Sequence, residues 1–157
     1  MVDLYQTVEG DLVAEGAKFA IVASRFNDEI VSGLLAGACE CLDTHGAAKD
    51  DVVIYRVPGA FEIPSAVSKV GATGRFDAIV SLGALIRGET PHFDFISAQV
   101  TTELSRVSII LGVPVAFGVV TCNTMEQAKA RIERGSNKGW EAALAAIEMT
   151  SLYRKLG

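Results

Sequence analysis

Two histidines and three cysteines are the only imidazole and thiol groups in this chain of 157 residues. No cluster of His, Cys and carboxylates has metal-ligand spacing, so no metal is expected. Cys39 and Cys41 lie two positions apart; on a helix their thiols point about 200° from each other, which suits neither a chelate nor a disulfide. The odd count leads to the same reading, three small core hydrophobes in a reducing compartment. No run of lysine and arginine occurs and the formal charge is −5, so no nucleic-acid surface is expected and basic groups must act singly, in pockets. No apolar stretch approaches the ~18 residues of a membrane span. Met1-Val-Asp-Leu-Tyr-Gln6 has no basic region leading into an apolar one, so a signal peptide is not expected and the reading is a soluble, cytoplasmic protein. Missing too are G-x-G-x-x-G and Walker loops, which removes the best support for a nucleotide site. No serine elbow or Cys–His partnership exists, so covalent hydrolysis has no candidate nucleophile.

Half of the residues are hydrophobic and 21% are charged, the balance of one globular domain spanning residues 1–157. One grammar recurs four times: a short apolar run, a turn with polar or glycine residues, then a helical pattern. Lys18–Ala23 leads through Ser24-Arg-Phe-Asn27 into a helix ending near His45, with Gly46 as its stop. Asp51–Tyr55 leads through Val57-Pro-Gly-Ala-Phe-Glu-Ile-Pro64 into a helix carrying Ala66, Val67 and Val70. Ala78–Ile86 leads through Arg87-Gly-Glu-Thr-Pro-His-Phe-Asp94 into a helix with apolar positions at Phe93, Ile96, Val100, Leu104, Val107 and Leu111. Val113–Val120 leads through Thr121-Cys-Asn-Thr124 into a helix from about Met125, and a last helix is expected from Lys138 to Leu156. Strands apolar on both faces and alternating with helices imply α/β: a three-layer α/β/α sandwich on a mainly parallel four-stranded sheet. Residues 1–12 fall outside this grammar, as a loose extended segment suited to pairing with another subunit.

In open parallel sheets ligands bind at the carboxyl ends of the strands, which singles out the four loops. Thr90 before Pro91 reads as an N-cap followed by a favoured first helical residue. The amides of Gly88, Glu89 and Thr90 then form an anion seat, with His92 in the first turn and Arg87 aimed at the same end of the sheet. A capped helix with an exposed histidine explains this loop equally well. Phe26 and Phe61 either plug the ends of the core or stack on a flat heterocycle. Glu62 is either a helix-start carboxylate or an acceptor for sugar-like hydroxyls. Arg131, Arg134 and Lys138 taken singly read as solvated charges, and His45 as a partner of its helix C-terminus.

Taken together, Ile21-Val-Ala-Ser-Arg-Phe-Asn27, Val57-Pro-Gly-Ala-Phe-Glu-Ile-Pro64, Gly83–Asp94, Pro114-Val-Ala-Phe-Gly-Val-Val-Thr121 and Asn137-Lys-Gly139 resemble the 6,7-dimethyl-8-ribityllumazine synthases of riboflavin biosynthesis. The resemblance runs from about residue 8 to the C-terminus. It implies a flavodoxin-like fold and a cofactor-independent transferase. The reaction joins 5-amino-6-(D-ribitylamino)uracil to 3,4-dihydroxy-2-butanone 4-phosphate, with loss of phosphate and water. It assigns Phe26, with Asn27 in the same motif, to the pyrimidine; Ala60, Phe61 and Glu62 to the ribityl chain; and backbone at Leu85 and Ile86 to the pyrimidine edge. Gly88, Glu89, Thr90 and Arg131 are assigned to the phosphate and His92 to proton transfer. Phe117, Arg131 and Lys138 would come from a neighbouring subunit. Two departures stand out. A carboxylate at Glu89 suits a phosphate seat only if it points away, and a segment about one residue short before Lys138 leaves Arg134 as rival to Arg131. The implied partners are the two small-molecule substrates, copies of the chain in a pentamer or a sixty-subunit icosahedral shell, and riboflavin synthase. A non-catalytic flavin- or lumazine-binding module and a pure shell-forming protein are the alternatives.

Overall fold

The fold is built on one parallel sheet with the strand order β2-β1-β3-β4, in a computed structural model that describes residues 2–157. The elements alternate along the chain as β1 (Phe19–Ser24), α1 (Asp28–Thr44), β2 (Val52–Val57), α2 (Ile63–Ala72), β3 (Ala78–Ile86), α3 (His92–Leu111), β4 (Val115–Cys122), α4 (Met125–Ala130) and α5 (Lys138–Leu156). Three short 3-10 turns, Val2–Leu4, Lys49–Asp51 and Ala60–Glu62, complete them.

The burial pattern shows why the layers form. Phe19, Ile21 and Ala23 of β1 face a core shared with α1 and α5, whereas Ala20 and Val22 face one shared with α2 and α3. β3 is likewise apolar on both sides, as a central parallel strand must be. Each large aliphatic side chain fully buried here, such as Ile21, Leu34 or Ile79, contributes roughly 1.5–3 kcal/mol. α1 and α5 pack closely because Gly139 has no side chain; a Cβ there would run into the Leu34 carbonyl.

β2 departs from the expectation of strands covered on both faces. It is an edge strand with Val53 and Ile54 exposed, and only β1 pairs with it. Its run extends to Val57, two residues past Tyr55, because the ladder with β1 continues to Ser24. β4 starts at Val115 rather than Val113: Pro114 has no N–H to give, and only its carbonyl pairs, with the Ile79 N–H at 2.9 Å. The strand then runs on through Thr121 and Cys122, which the sequence places in a loop.

The N-terminal segment is less loose than expected. Its Asp11 N–H donates to Ser151 Oγ at 2.8 Å, and the Lys155 ammonium donates to the Glu9 carbonyl at 2.7 Å. Gly10 lies against the Glu148 carbonyl where a Cβ would collide, so residues 9–11 are strapped to α5 of their own chain. Residues 5–18 hold no strand within the chain, and Leu4, Tyr5, Val8, Leu12 and Val13 remain exposed.

Candidate functional site

β1 and β3 are neighbours in the sheet, yet the helices that follow them leave to opposite faces, α1 toward α5 and α3 toward α2. Their loops therefore diverge and leave a crevice at the carboxyl edge, where open α/β sheets bind ligands. That crevice is a cleft of about 550 Å³, within the range of small-molecule sites.

Its first wall is built on Ser24-Arg-Phe-Asn27. The Arg25 N–H donates to the Val57 carbonyl at 2.8 Å and the Phe26 N–H to the Pro58 carbonyl at 3.0 Å, which fastens this loop to the one after β2. Asn27 takes a left-handed backbone, φ 59 and ψ 49, a region that asparagine tolerates better than most residues. Its side-chain amide donates to the Ala84 carbonyl at 2.9 Å, tying the loop to β3 as well. Phe26 is 71% exposed and Phe61 62%, so neither plugs the core; both rings stand at the mouth of the cleft. Glu62 Oε2 accepts the Gly59 N–H at 3.0 Å, while the Glu62 N–H donates to the Gly59 carbonyl at 3.2 Å. The reciprocal pair holds the turn that displays Phe61 and leaves the second carboxylate oxygen free to accept.

Leu85 and Ile86, half-buried at the end of β3, form the floor, and Gly88, Thr90 and His92 form the opposite lip. Here the expected cap is absent. α3 begins at His92 with Pro91 at the N-cap position (φ −71, ψ 5), and no side chain caps it. The Pro91 carbonyl accepts the N–H groups of Asp94 and Phe95, and the Thr90 hydroxyl makes no hydrogen bond among the described residues. Among those residues the amides of Gly88, Glu89 and Thr90 are likewise unpaired, which leaves them available to an anion. Glu89 is exposed and does not line the cleft, which removes the conflict between its carboxylate and an anion seat.

Of the fourteen expected site residues, Glu89 stands in the loop without lining the cleft, and ten are gathered in one chain: Phe26, Asn27, Ala60, Phe61, Glu62, Leu85, Ile86, Gly88, Thr90 and His92 line it. Phe117, Arg131 and Lys138 do not. Phe117 is 47% exposed on the edge strand β4. The Arg131 guanidinium donates to the Gln127 carbonyl at 2.8 Å, and Lys138 pairs with Glu141 at 2.7 Å. Arg134 lies 3.5 Å from Glu40. Asn137 anchors this region: its carbonyl oxygen accepts the Gly139 and Trp140 N–H groups at 2.8 and 3.0 Å, and its amide donates to the Gly33 and Ile132 carbonyls at 3.0 Å each.

Sequence reading missed Gly59, Phe93 and Ile96 as cleft residues. Phe93 and Ile96 repeat at the helical spacing of core positions, and only their place near the start of a loop-borne helix distinguishes them. Arg87 proves to be a brace: its Nε–H donates to Asn123 Oδ1 at 2.9 Å, and Nη1 lies 3.1 Å from the Asp94 carboxylate. Burial pushes the Cys41 thiol up to about 11 and raises Cys39 as well. It also raises Cys122, with the charge of Arg131 opposing, so no thiolate nucleophile is poised here. His45 Nδ1 sits 2.6 Å from the Cys41 carbonyl at the end of α1, the helix-terminal role expected of it. No helix among the described residues is long and apolar enough to cross a membrane.

Comparison with known proteins gives the same pattern over almost the whole length. The profile of the family described as 6,7-dimethyl-8-ribityllumazine synthase matches residues 16–154. Curated proteins bearing that name are similar throughout. The one from Chlorobium luteolum is 49% identical over 95% of this chain and 97% of its own length. Those from Syntrophus aciditrophicus, 50% identical over 94% and 97%, and Chlorobaculum tepidum, 49% over 96% and 98%, are comparable.

Proposed function

The chain belongs to the 6,7-dimethyl-8-ribityllumazine synthase family, and on that footing we propose how its cleft carries out the family's condensation. The substrates are 5-amino-6-(D-ribitylamino)uracil and 3,4-dihydroxy-2-butanone 4-phosphate; the product is 6,7-dimethyl-8-ribityllumazine. The observation that carries the assignment of roles is one juxtaposition: two exposed aromatic rings, Phe26 and Phe61, face unpaired amides and a histidine across a single cleft.

In this reading the pyrimidine stacks on Phe26, with its edge read by backbone at Leu85 and Ile86. The ribityl hydroxyls run past Ala60 and Phe61 to the free oxygen of Glu62. The phosphate sits on the Gly88–Thr90 amides, where the helix dipole of α3 favours a dianion. The amine attacks the ketone and water leaves to form an imine; elimination expels phosphate, and ring closure loses water. His92 moves protons beside these steps. Most of the acceleration comes from holding two reactants in register, where effective molarities reach ~10⁵ M or more. One acid–base group adds about 10²-fold or somewhat more.

Phe117, Arg131 and Lys138 stand outside the cleft of their own chain, and this supports a site completed by a neighbouring subunit. The open edge of β2 and the exposed apolar residues of the N-terminal segment fit the same picture, a strand added across the subunit boundary in a pentamer or a larger shell. Mixing purified protein with both substrates and following lumazine fluorescence tests the assignment. Binding of either substrate with no fluorescent product would leave only a non-catalytic binding module.

A further inference from the structure

Arg87 ties the start of the anion-binding loop to three places, one through its backbone and two through its side chain. Its backbone N–H donates to the Cys122 carbonyl at 2.8 Å, extending the β3–β4 ladder by one step. Its guanidinium then divides its donors. Nε–H goes to Asn123 in the loop before α4, Nη1–H to Asp94 in the first turn of α3, and the plane lies over the Phe93 ring at 4.5 Å. Asp94 and Phe93 follow His92 directly in sequence, so the fork holds both residues on the C-terminal side of the histidine.

The rest of that loop has little to hold it. No side chain caps α3, and among the described residues Gly88, Glu89 and Thr90 make no hydrogen bonds. The Arg87 and Asp94 side chains are 43% and 57% exposed, so their pairing is too solvated to matter much for global stability. What it can decide is local: whether the amides and His92 stay in register with the opposite wall of the cleft. Its charge is already satisfied by Asp94, which leaves it poorly placed to serve as the phosphate's cation.

We propose that Arg87 is a positioning residue for the condensation, holding His92 and the Gly88–Thr90 amides in place without touching substrate. This rests on the role given to His92 above. Lysine cannot reproduce it, since a point charge can pair with Asp94 but cannot also bond Asn123 from over the Phe93 ring.

The test combines kinetics with hydrogen exchange on the intact assembly. Arg87→Ala should lower kcat about tenfold while the KM for the pyrimidine substrate stays within about twofold, with Arg87→Lys recovering part of the loss. Introduced into His92→Ala, the same change should cost clearly less, about threefold or under, because, of the groups it positions, only the Gly88–Thr90 amides remain. An additive tenfold loss in that background, or wild-type kcat in Arg87→Ala, overturns the proposal. Independently of turnover, the Asp94 and Phe95 amides should exchange about tenfold faster in Arg87→Ala and less so in Arg87→Lys. Unchanged exchange also overturns it. Wild-type protein that forms no lumazine would refute the assigned function, while the exchange comparison would still judge the brace.

Discussion

The Phe26 N–H donates to the Pro58 carbonyl at 3.0 Å, which joins the loop after β1 to the loop after β2 directly beneath two exposed aromatic rings. With the Arg25 N–H bond to the Val57 carbonyl, it helps to set the spacing of the two faces that a flat substrate would meet.

Removing the stacking ring should be read in binding. Phe26→Ala is expected to raise the KM for the pyrimidine substrate about tenfold, matching ~1–1.5 kcal/mol of lost stacking, and Phe26→Trp to retain most affinity. Steady-state titration at saturating butanone phosphate measures it; an unaltered KM in the alanine variant would take Phe26 out of the site.

His92→Ala should be slow but active. If orientation supplies most of the rate, losing one proton-transfer group lowers kcat by about 10²-fold and leaves substrate binding nearly intact. Single-turnover kinetics showing complete loss with binding retained would contradict that division.

Arg131→Ala should weaken butanone phosphate, not the pyrimidine. Loss of a charge-assisted contact to a partly desolvated dianion corresponds to about 10–100-fold in KM. If Arg134→Ala shows that effect and Arg131→Ala does not, the shorter segment before Lys138 has shifted the register of the cation.

A shared site makes a sharper demand. Chains carrying His92→Ala and chains carrying Arg131→Ala, co-assembled in equal amounts, should restore about a quarter of the sites to wild-type composition. Activity no higher than the mean of the two separate variants would place the whole site within one chain. Sedimentation velocity of the same samples gives the assembly: five chains of 16.6 kDa form a particle near ~80 kDa, and sixty form one near ~1 MDa.

The thiols predict an alkaline limit. Burial raises Cys41 from 9.0 to about 11 in the folded chain, so the native state favours the protonated form. Its contribution to stability is complete below about pH 9 and fades as pH rises toward 11, because unfolding then releases a proton. Thermal melts across that range should fall less steeply in Cys41→Ala than in the parent protein; equal slopes would argue against it.

Much of the fold could be read from patterning because β1 and β3 are buried on both faces and each apolar run is punctuated by its loop. The last helix was bounded correctly at Lys138 because Asn137 is a true cap, bonding the Gly139 and Trp140 amides. Thr90 carried the same signal and does not cap, since the backbone at Pro91 places the first turn one residue later. A side-chain type states a preference; whether an amide stands within its reach is decided by tertiary geometry. The exposure of β2 was illegible for a related reason: Val53 and Ile54 are as apolar as central-strand residues, and strand order is not written in composition. In the site, the loop residues were legible because glycine, aromatic and charge signals coincide there. Phe93 and Ile96 were not, being indistinguishable from core positions of α3.

The crevice between the loops of β1 and β3 exists because two backbones part company, with no core atoms removed to make it. Emptying it leaves no vacuum inside the protein, and shaving its walls opens no void of the kind that makes buried Phe→Ala cost ~3–5 kcal/mol. Recognition and folding are therefore nearly independent at Phe26 and Phe61. Substrate preference can drift at these positions while the scaffold keeps its melting temperature.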